Sequence, residues 1–367
     1  MHVAVRACCV DAVKMIDENA LFKIATGSIA AGMLLAGFLI IFKQYVQKHY
    51  RPSLYLAIAW FGFFLEAAFA TIRFLFEDLE LMLLFQKLSF IGLVPGFLGI
   101  MATVDTISRD GVDARRFSIL VFILGINTVL LLLPLDDKTI MIPNFIVIGI
   151  GVVISNTLLA LYIRIYKHVP KRLKRLAFIN SIGAFSIAVL YVFWRITEIA
   201  MPNHLLPIAR IIESIGALLQ STILSRHEQL FYVLPFKVQR LTVIGTKKGL
   251  SLFNFDWSRS DIIDQDLFSS IIQGTSMILN ESLKKGNFQE IKMENGVILI
   301  SHDATHPVAS VLIASKSSLV IHEGLASFAR KFVERYENEL DTLDASKIGQ
   351  DAVELVKECF PFIPSFD

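Results

Sequence analysis

Carboxylates and cations placed inside long apolar runs are the residues of this chain whose chemistry most needs an account. Glu66, Lys87, Arg210 and Glu213 each interrupt such a run. At a helical rise of about 1.5 Å per residue, Glu66 and Lys87 lie about 10 Å from the nearer end of their runs, and Arg210 and Glu213 roughly 8 and 12 Å. Arg73, Arg195 and Glu198 sit closer to the same end and are peripheral to them. A charge at such depth in hydrocarbon costs at least about 2.5 kcal/mol unless paired or wetted, so these side chains are expected to face a bundle interior. Two arrangements satisfy that demand. One is a polar pocket that recognises a small ligand or ion; the other is a set of structural ion pairs, Glu66 with Lys87 and Glu213 with Arg210 or a neighbour, that fix helix packing.

The sequence carries no other chemical signature. There is no P-loop, no kinase-type glycine-rich loop and no Cys-x-x-Cys, and the chain is read as a non-enzyme with no cofactor and no metal. His302 and His306 in SHDATH are four residues apart, a spacing that converges two ligands only on a helix, whereas this stretch reads as a turn between strands. A retinal-type Schiff base needs a lysine in the last span, and none lies between Met201 and Phe236. Ser108-Arg109-Asp110 reads as a loop Arg-Asp pair, and the Asn280-Glu281-Ser282 sequon falls in a helix on the expected cytoplasmic side. Asn127, Asn156 and Asn180 put single amides into three further spans, where hydrogen bonds between helices account for them.

The elements that must position these groups are membrane spans. Hydrophobic residues make up 54% of the chain and its mean hydropathy is +0.59, too apolar for an ordinary soluble domain. About 20 apolar residues cross the hydrocarbon core as a helix. Seven runs approach or exceed that length: Leu21 to Phe42, Ser53 to Ile72, Leu79 to Met101, Phe117 to Leu135, Met141 to Tyr162, Leu176 to Ile199 and Leu205 to Leu224. The loops after the first, third and fifth runs carry twelve lysines and arginines, six of them in RIYKHVPKRLKRL, against three in the intervening loops. Odd loops are therefore expected in the cytoplasm, the N-terminus outside and the C-terminus inside. Residues 1–20 lack a continuous apolar segment and are read as an extracellular tail without a cleavable signal. Three cysteines, two of them adjacent, leave no disulfide framework, and the net charge of +2 does not call for nucleic acid.

Beyond residue 224 the pattern changes. SRHEQLFYVLPFKVQR has no Gly/Ser-rich stretch; Phe231 and Tyr232 are expected to hold it at the membrane interface and Pro235 to stop any helix. This makes residues 225–238 a stiff linker. Leu241 to Ile244 and Leu250 to Phe255 then read as a hairpin about Lys247, Lys248 and Gly249. Asp266 caps an amphipathic helix with Phe268, Ile271, Ile272, Thr275, Leu279 and Leu283 on one face. FQEIKME, GVILISH and VASVLIAS follow as strands, then a helix carrying Leu325, Phe328, Ala329, Phe332, Tyr336 and Leu340, and a last one at Ala352 to Phe360. The order is β-β-α-β-β-β-α-α, a sheet with helices packed on it over residues 239–367.

That order, with GTKKGLSLFNFDW leading into DLFSSIIQGTSMIL and then GVILISH and VASVLIAS, resembles the longin and roadblock-like regulatory folds, especially their archaeal versions. The resemblance covers about the last third of the chain and carries no residue-level site. It implies a domain that binds a small GTPase, its regulator or a second copy through a sheet edge or the first helix, without chemistry of its own. Leu267, Ile271 and Leu283 mark the candidate helix surface. The seven-helix half, residues 21–224, is similar in helix count and topology to prokaryotic sensory membrane modules. The fold class expected is therefore an all-α seven-helix transmembrane bundle plus a C-terminal α/β (α+β) longin/roadblock-like domain. The function expected is a receptor-like or sensor-like protein of the cell membrane, with the bilayer and a cytoplasmic protein as partners and a homodimer open. A transporter with a regulatory domain and a passive membrane scaffold are the alternatives.

Overall fold

Each of the seven apolar runs folds as one helix in the computed structural model, which describes residues 18–109, 111–133, 141–200, 206–232, 237–245, 250–257, 290–294, 296–303, 305–342 and 350–363. They are α1 (Glu18–Lys48), α2 (Arg51–Ile72), α3 (Leu79–Arg109), α4 (Ala114–Leu132), α5 (Met141–His168), α6 (Lys174–Ala200) and α7 (Leu206–Arg226). All seven are long and apolar enough to cross a membrane, as a multi-pass membrane protein requires. Helix ends differ from the apolar runs for identifiable reasons. α3 and α5 continue through the polar ends of their runs, where the internal hydrogen-bond ladder goes on satisfying the backbone. α4 stops short of Leu135 because Pro134 disfavours a helical residue before it, and Leu133 is extended at ψ 155°.

Small residues let the helices approach. A Cβ on Gly62 of α2 would stand 2.2 Å from the Gly96 nitrogen of α3, and one on Gly99 of α3 would stand 2.5 Å from the Ala59 nitrogen of α2. Gly183 of α6 and Gly216 of α7 face each other's carbonyls in the same way, at 2.9 and 2.8 Å. Lipid gives no hydrophobic drive for helix association, so close backbone contact at small residues supplies the dispersion energy instead. α1 packs against both α2 and α7, α3 against α2, and α6 between α5 and α7. α4 is the most peripheral of the seven, burying only Leu120, Leu124, Asn127 and Leu131.

A second compact unit takes in Gln229–Asp367 and starts within the 3₁₀ turn Glu228–Phe231. Its strands are β1 (Val238–Gly245), β2 (Leu250–Asp256), β3 (Glu290–Met293), β4 (Gly296–His302) and β5 (Val308–Ala314), close to the runs read from sequence. They form one antiparallel sheet in the order β2-β1-β5-β4-β3. β5 is buried along its whole length, so both faces of the sheet are covered. One face gathers Ile244, Ile298, Ile300, Ala309, Val311 and Ile313. On the other lie α8 (Leu319–Thr342, kinked at Tyr336) and α9 (Gln350–Cys359), joined to the sheet through the rings of Phe253, Phe328, Phe332 and Phe360. Leu325, Phe328, Phe332 and Tyr336 are buried, the face that the spacing of α8 predicts.

Phe231 and Tyr232 depart from expectation. Both are buried, and the Tyr232 ring packs 5.2 Å from that of Phe362, so they belong to a protein core rather than to a lipid interface. An aromatic pair beside a span satisfies either environment, and Phe362, near the C-terminal end of the described residues, supplies the competing one. The turn at Lys247 to Gly249, Pro235, and the Asp266 to Leu283 helix with its Leu267, Ile271 and Leu283 lie outside the described residues.

Candidate functional site

Glu66 sits on the inward face of α2, on the turn after Trp60 and Phe63. α3 crosses so near it that a Cβ on Gly92 would stand 2.9 Å from the Glu66 nitrogen. Arg210 sits on α7, whose buried face reads Arg210, Glu213, Ser214, Ala217, Gln220, Ser221 and Leu224, a three-four spacing that carries polar groups down one side of the helix. The guanidinium Nη2 of Arg210 donates to Glu66 Oε1 at 2.5 Å, with side-chain exposures of 10% and 6%. The pair therefore joins two helices that are not consecutive in the ring, in a place where water cannot screen it. Ser214 Oγ donates back to the Arg210 carbonyl at 2.9 Å, and Glu213, equally buried, shares the α7 face.

The other charges go elsewhere. Lys87 does not meet Glu66: its ammonium donates to the Leu133 carbonyl at 3.0 Å, capping the C-terminus of α4 where the helix dipole favours a cation. The sequence-level pairing of Glu66 with Lys87 is thus replaced by Glu66 with Arg210. Both candidates are cations at comparable depth in the sequence, and which of them reaches Glu66 depends on how the helices turn and pack, which spacing alone does not give. Arg73 lies in the turn ending α2, over the Phe74 ring at 4.7 Å. The side chains of Arg195 and Glu198 lie outside the described residues.

Below the Glu66–Arg210 pair stands an aromatic floor. Phe63, Phe97 and Tyr191 come from α2, α3 and α6, with centroids 6.0 to 6.1 Å apart, and Trp60 joins Phe63 at 6.0 Å. A second polar layer follows in Tyr162, Asn180 and Gln220, of α5, α6 and α7, all fully buried. There Gln220 Nε2 donates to the Asn180 carbonyl at 3.5 Å. Asn127 is also buried, whereas Asn156 is exposed and so turns away from the helix contacts expected of it.

At the end of the bundle that carries the basic loops, the polar groups are tied. Gln44 Nε2 donates to the Leu224 carbonyl and its Oε1 accepts from Ser53, both at 3.1 Å, binding α1 to α2 and α7. Lys48 forms an ion pair with buried Glu228, and Tyr50 donates to Glu228 at 3.4 Å. Burial, and then the Glu228 charge, push the Tyr50 hydroxyl above its ordinary pKa. His49, between the two donors, takes the left-handed conformation at φ 55° and so turns the chain to present both. In the next loop Asp113 caps α4 through the Arg115 and Arg116 amides. It accepts from Arg109 at 2.5 Å and donates its own amide to buried Asp105. These bonds, the Arg116 amide first, hold Asp113 below the usual carboxylate range.

Gln44, Asp105 and Glu228 are absent from the candidates read off the sequence. Charged residues at span ends are ordinarily topogenic, and the usable signal was their sign: Asp105 and Glu228 are acids among bases. His302 and His306 hold no metal geometry; Asp303 closes their loop by accepting from Thr305 and His306. Among the described residues no group of three or more His, Cys, Asp or Glu is placed to hold an ion. Comparison with known protein families, curated proteins and solved structures found no match to this chain.

Proposed function

We propose that this chain is a sensor-like membrane protein in which the seven-helix bundle controls a C-terminal protein-binding domain. The observation that carries the reading is the buried Glu66–Arg210 pair. It ties the last span to α2 at the end away from the basic loops, and the chain runs from that last span directly into the sheet unit. A ligand or ion that competes for either partner would release α7 at a cost set by the pair, which gives the bundle two states to choose between. The expected topology puts the pair toward the outside and the sheet in the cytoplasm. The antiparallel sheet with β2 and β3 at its edges supports the longin/roadblock-like resemblance, and with it a protein partner such as a small GTPase or its regulator, or a second copy. Partner contact is assigned to an open edge or to the Leu267 to Leu283 helix.

The test is capture on membranes carrying the full chain, against a chain ending at Glu228. The expected result is a GTP-binding protein held only by the full chain, with no GTP turnover by the chain itself. Equal capture by both, or GTP hydrolysis by the purified protein, would overturn the proposal. The polar face of α7 favours one second reading, a transporter with a regulatory domain; vesicles containing the purified chain would then carry a proton or solute flux that Glu66→Gln abolishes.

A further inference from the structure

The α5–α6 loop carries the densest group of cations at its end of the bundle, with no acid in it. Lys48 is neutralised by Glu228, and Arg109 and Arg116 by Asp113 and Asp105. No acidic residue occurs between Asp137 and Glu198, and Arg164, Lys167, Lys171, Arg172, Lys174 and Arg175 are all exposed, with no ion pair among the described residues. Their placement on the helices is the deciding feature. The outward stripe of α6 reads Val189, Phe185, Ile182, Phe178, and its next step is Lys174 and Arg175. The outward stripe of α5 reads Val153, Asn156, Ala160, Ile163, and its next steps are Arg164 and Lys167. Exposed apolar residues on a membrane helix meet acyl chains, so the cations that continue those stripes stand at the level of the headgroups. Beside the α6 stripe the Tyr166 ring packs tilted 6.0 Å from that of Phe178 and carries the Lys174 ammonium 5.4 Å over its face, holding one cation at the rim of the apolar surface.

We infer that Arg164, Lys167, Lys174 and Arg175 form a binding surface for the phosphate headgroups of anionic phospholipids. Topogenic charge alone does not require this geometry, since a basic loop orients a protein wherever its side chains point. Guanidinium groups suit the role because they meet a phosphodiester with two parallel N–H bonds. The inference rests on the membrane character of the bundle and not on the sensor reading.

The experiment is a titration of the purified, delipidated full chain with phosphatidylglycerol or phosphatidylcholine, read by native mass spectrometry, for the wild type and for R164Q/K167Q/K174Q/R175Q. The wild type should prefer phosphatidylglycerol by at least on the order of tenfold. The preference should shrink with added salt and vanish in the variant, while K316Q/R330Q/K357Q, which removes cations from the sheet unit, should leave it intact. Equal binding of the two lipids by the wild type would overturn the inference, whether or not the variant folds. So would a preference that survives in the folded quadruple variant, or one displaced by inorganic phosphate at the lipid's own concentration.

Discussion

Arg210 and Glu66 are both buried, so removing one takes a close opposite charge away from the other in a poorly solvated place. Glu66→Gln or Arg210→Met alone should destabilise the purified protein by about 3–5 kcal/mol. The combined change should cost clearly less than the sum of the two, as a thermal-unfolding double-mutant cycle will show. Lys87→Met, by contrast, should cost at most about 1 kcal/mol, because its carbonyl partner lies near the surface and is only a helix cap. Asp303 offers a pH-dependent test in the other unit. Burial alone would raise its pKa, but hydrogen bonds from Thr305 and His306 outweigh that and bring it to about 2. A depressed carboxylate contributes stability in full above its ordinary pKa of about 4 and loses it as the pH falls toward the folded value. Amide exchange in residues 303–308 should therefore accelerate between those limits in the wild type, and already be fast at neutral pH in Asp303→Ala. Of these residues, Glu66 and Arg210 were legible in the sequence as buried charges, since apolar context announces them. Their pairing was not, because it depends on helix rotation that composition does not encode.

At the scale of elements, the close crossings of α2 with α3 and of α6 with α7 depend on the absence of a side chain. Gly62→Val would drive its Cβ into the Gly96 backbone, which no rotamer relieves, so the helices must part. A loss of about 1–3 kcal/mol or more is expected, with the Glu66–Arg210 pair weakened because Glu66 lies on the same helix one turn further on. Gly32 of α1 has open space beside it, and Gly32→Ala should be neutral by the same melting measurement. Seven spans, five strands and the buried face of α8 could be read from apolar length, two-residue alternation and three-four spacing. The Glu228 latch could not: Glu228 lies nearly the whole bundle away in sequence from Lys48 and Tyr50, which the turn at His49 presents together. The aromatic pair Phe231 and Tyr232 illustrates the same limit, since a ring pair next to a span fits lipid and protein equally well until a partner such as Phe362 is placed.

For the molecule as a whole, the proposal makes α7 the element through which the bundle addresses the sheet unit, with the Glu66–Arg210 pair near its start and the Gln44 and Glu228 contacts at its end. Releasing the pair should therefore be felt in strands that take no part in it. The measurement that addresses this most directly is hydrogen exchange on the full chain in lipid nanodiscs, comparing the wild type, Glu66→Gln and Glu66→Gln/Arg210→Gln. The account predicts that Glu66→Gln changes the protection of the β1 and β5 amides, residues 238–245 and 308–314, and that the double change brings it back toward the wild type. If α7 loosens in Glu66→Gln while β1 and β5 exchange as in the wild type, the bundle does not control the domain and the central claim is wrong.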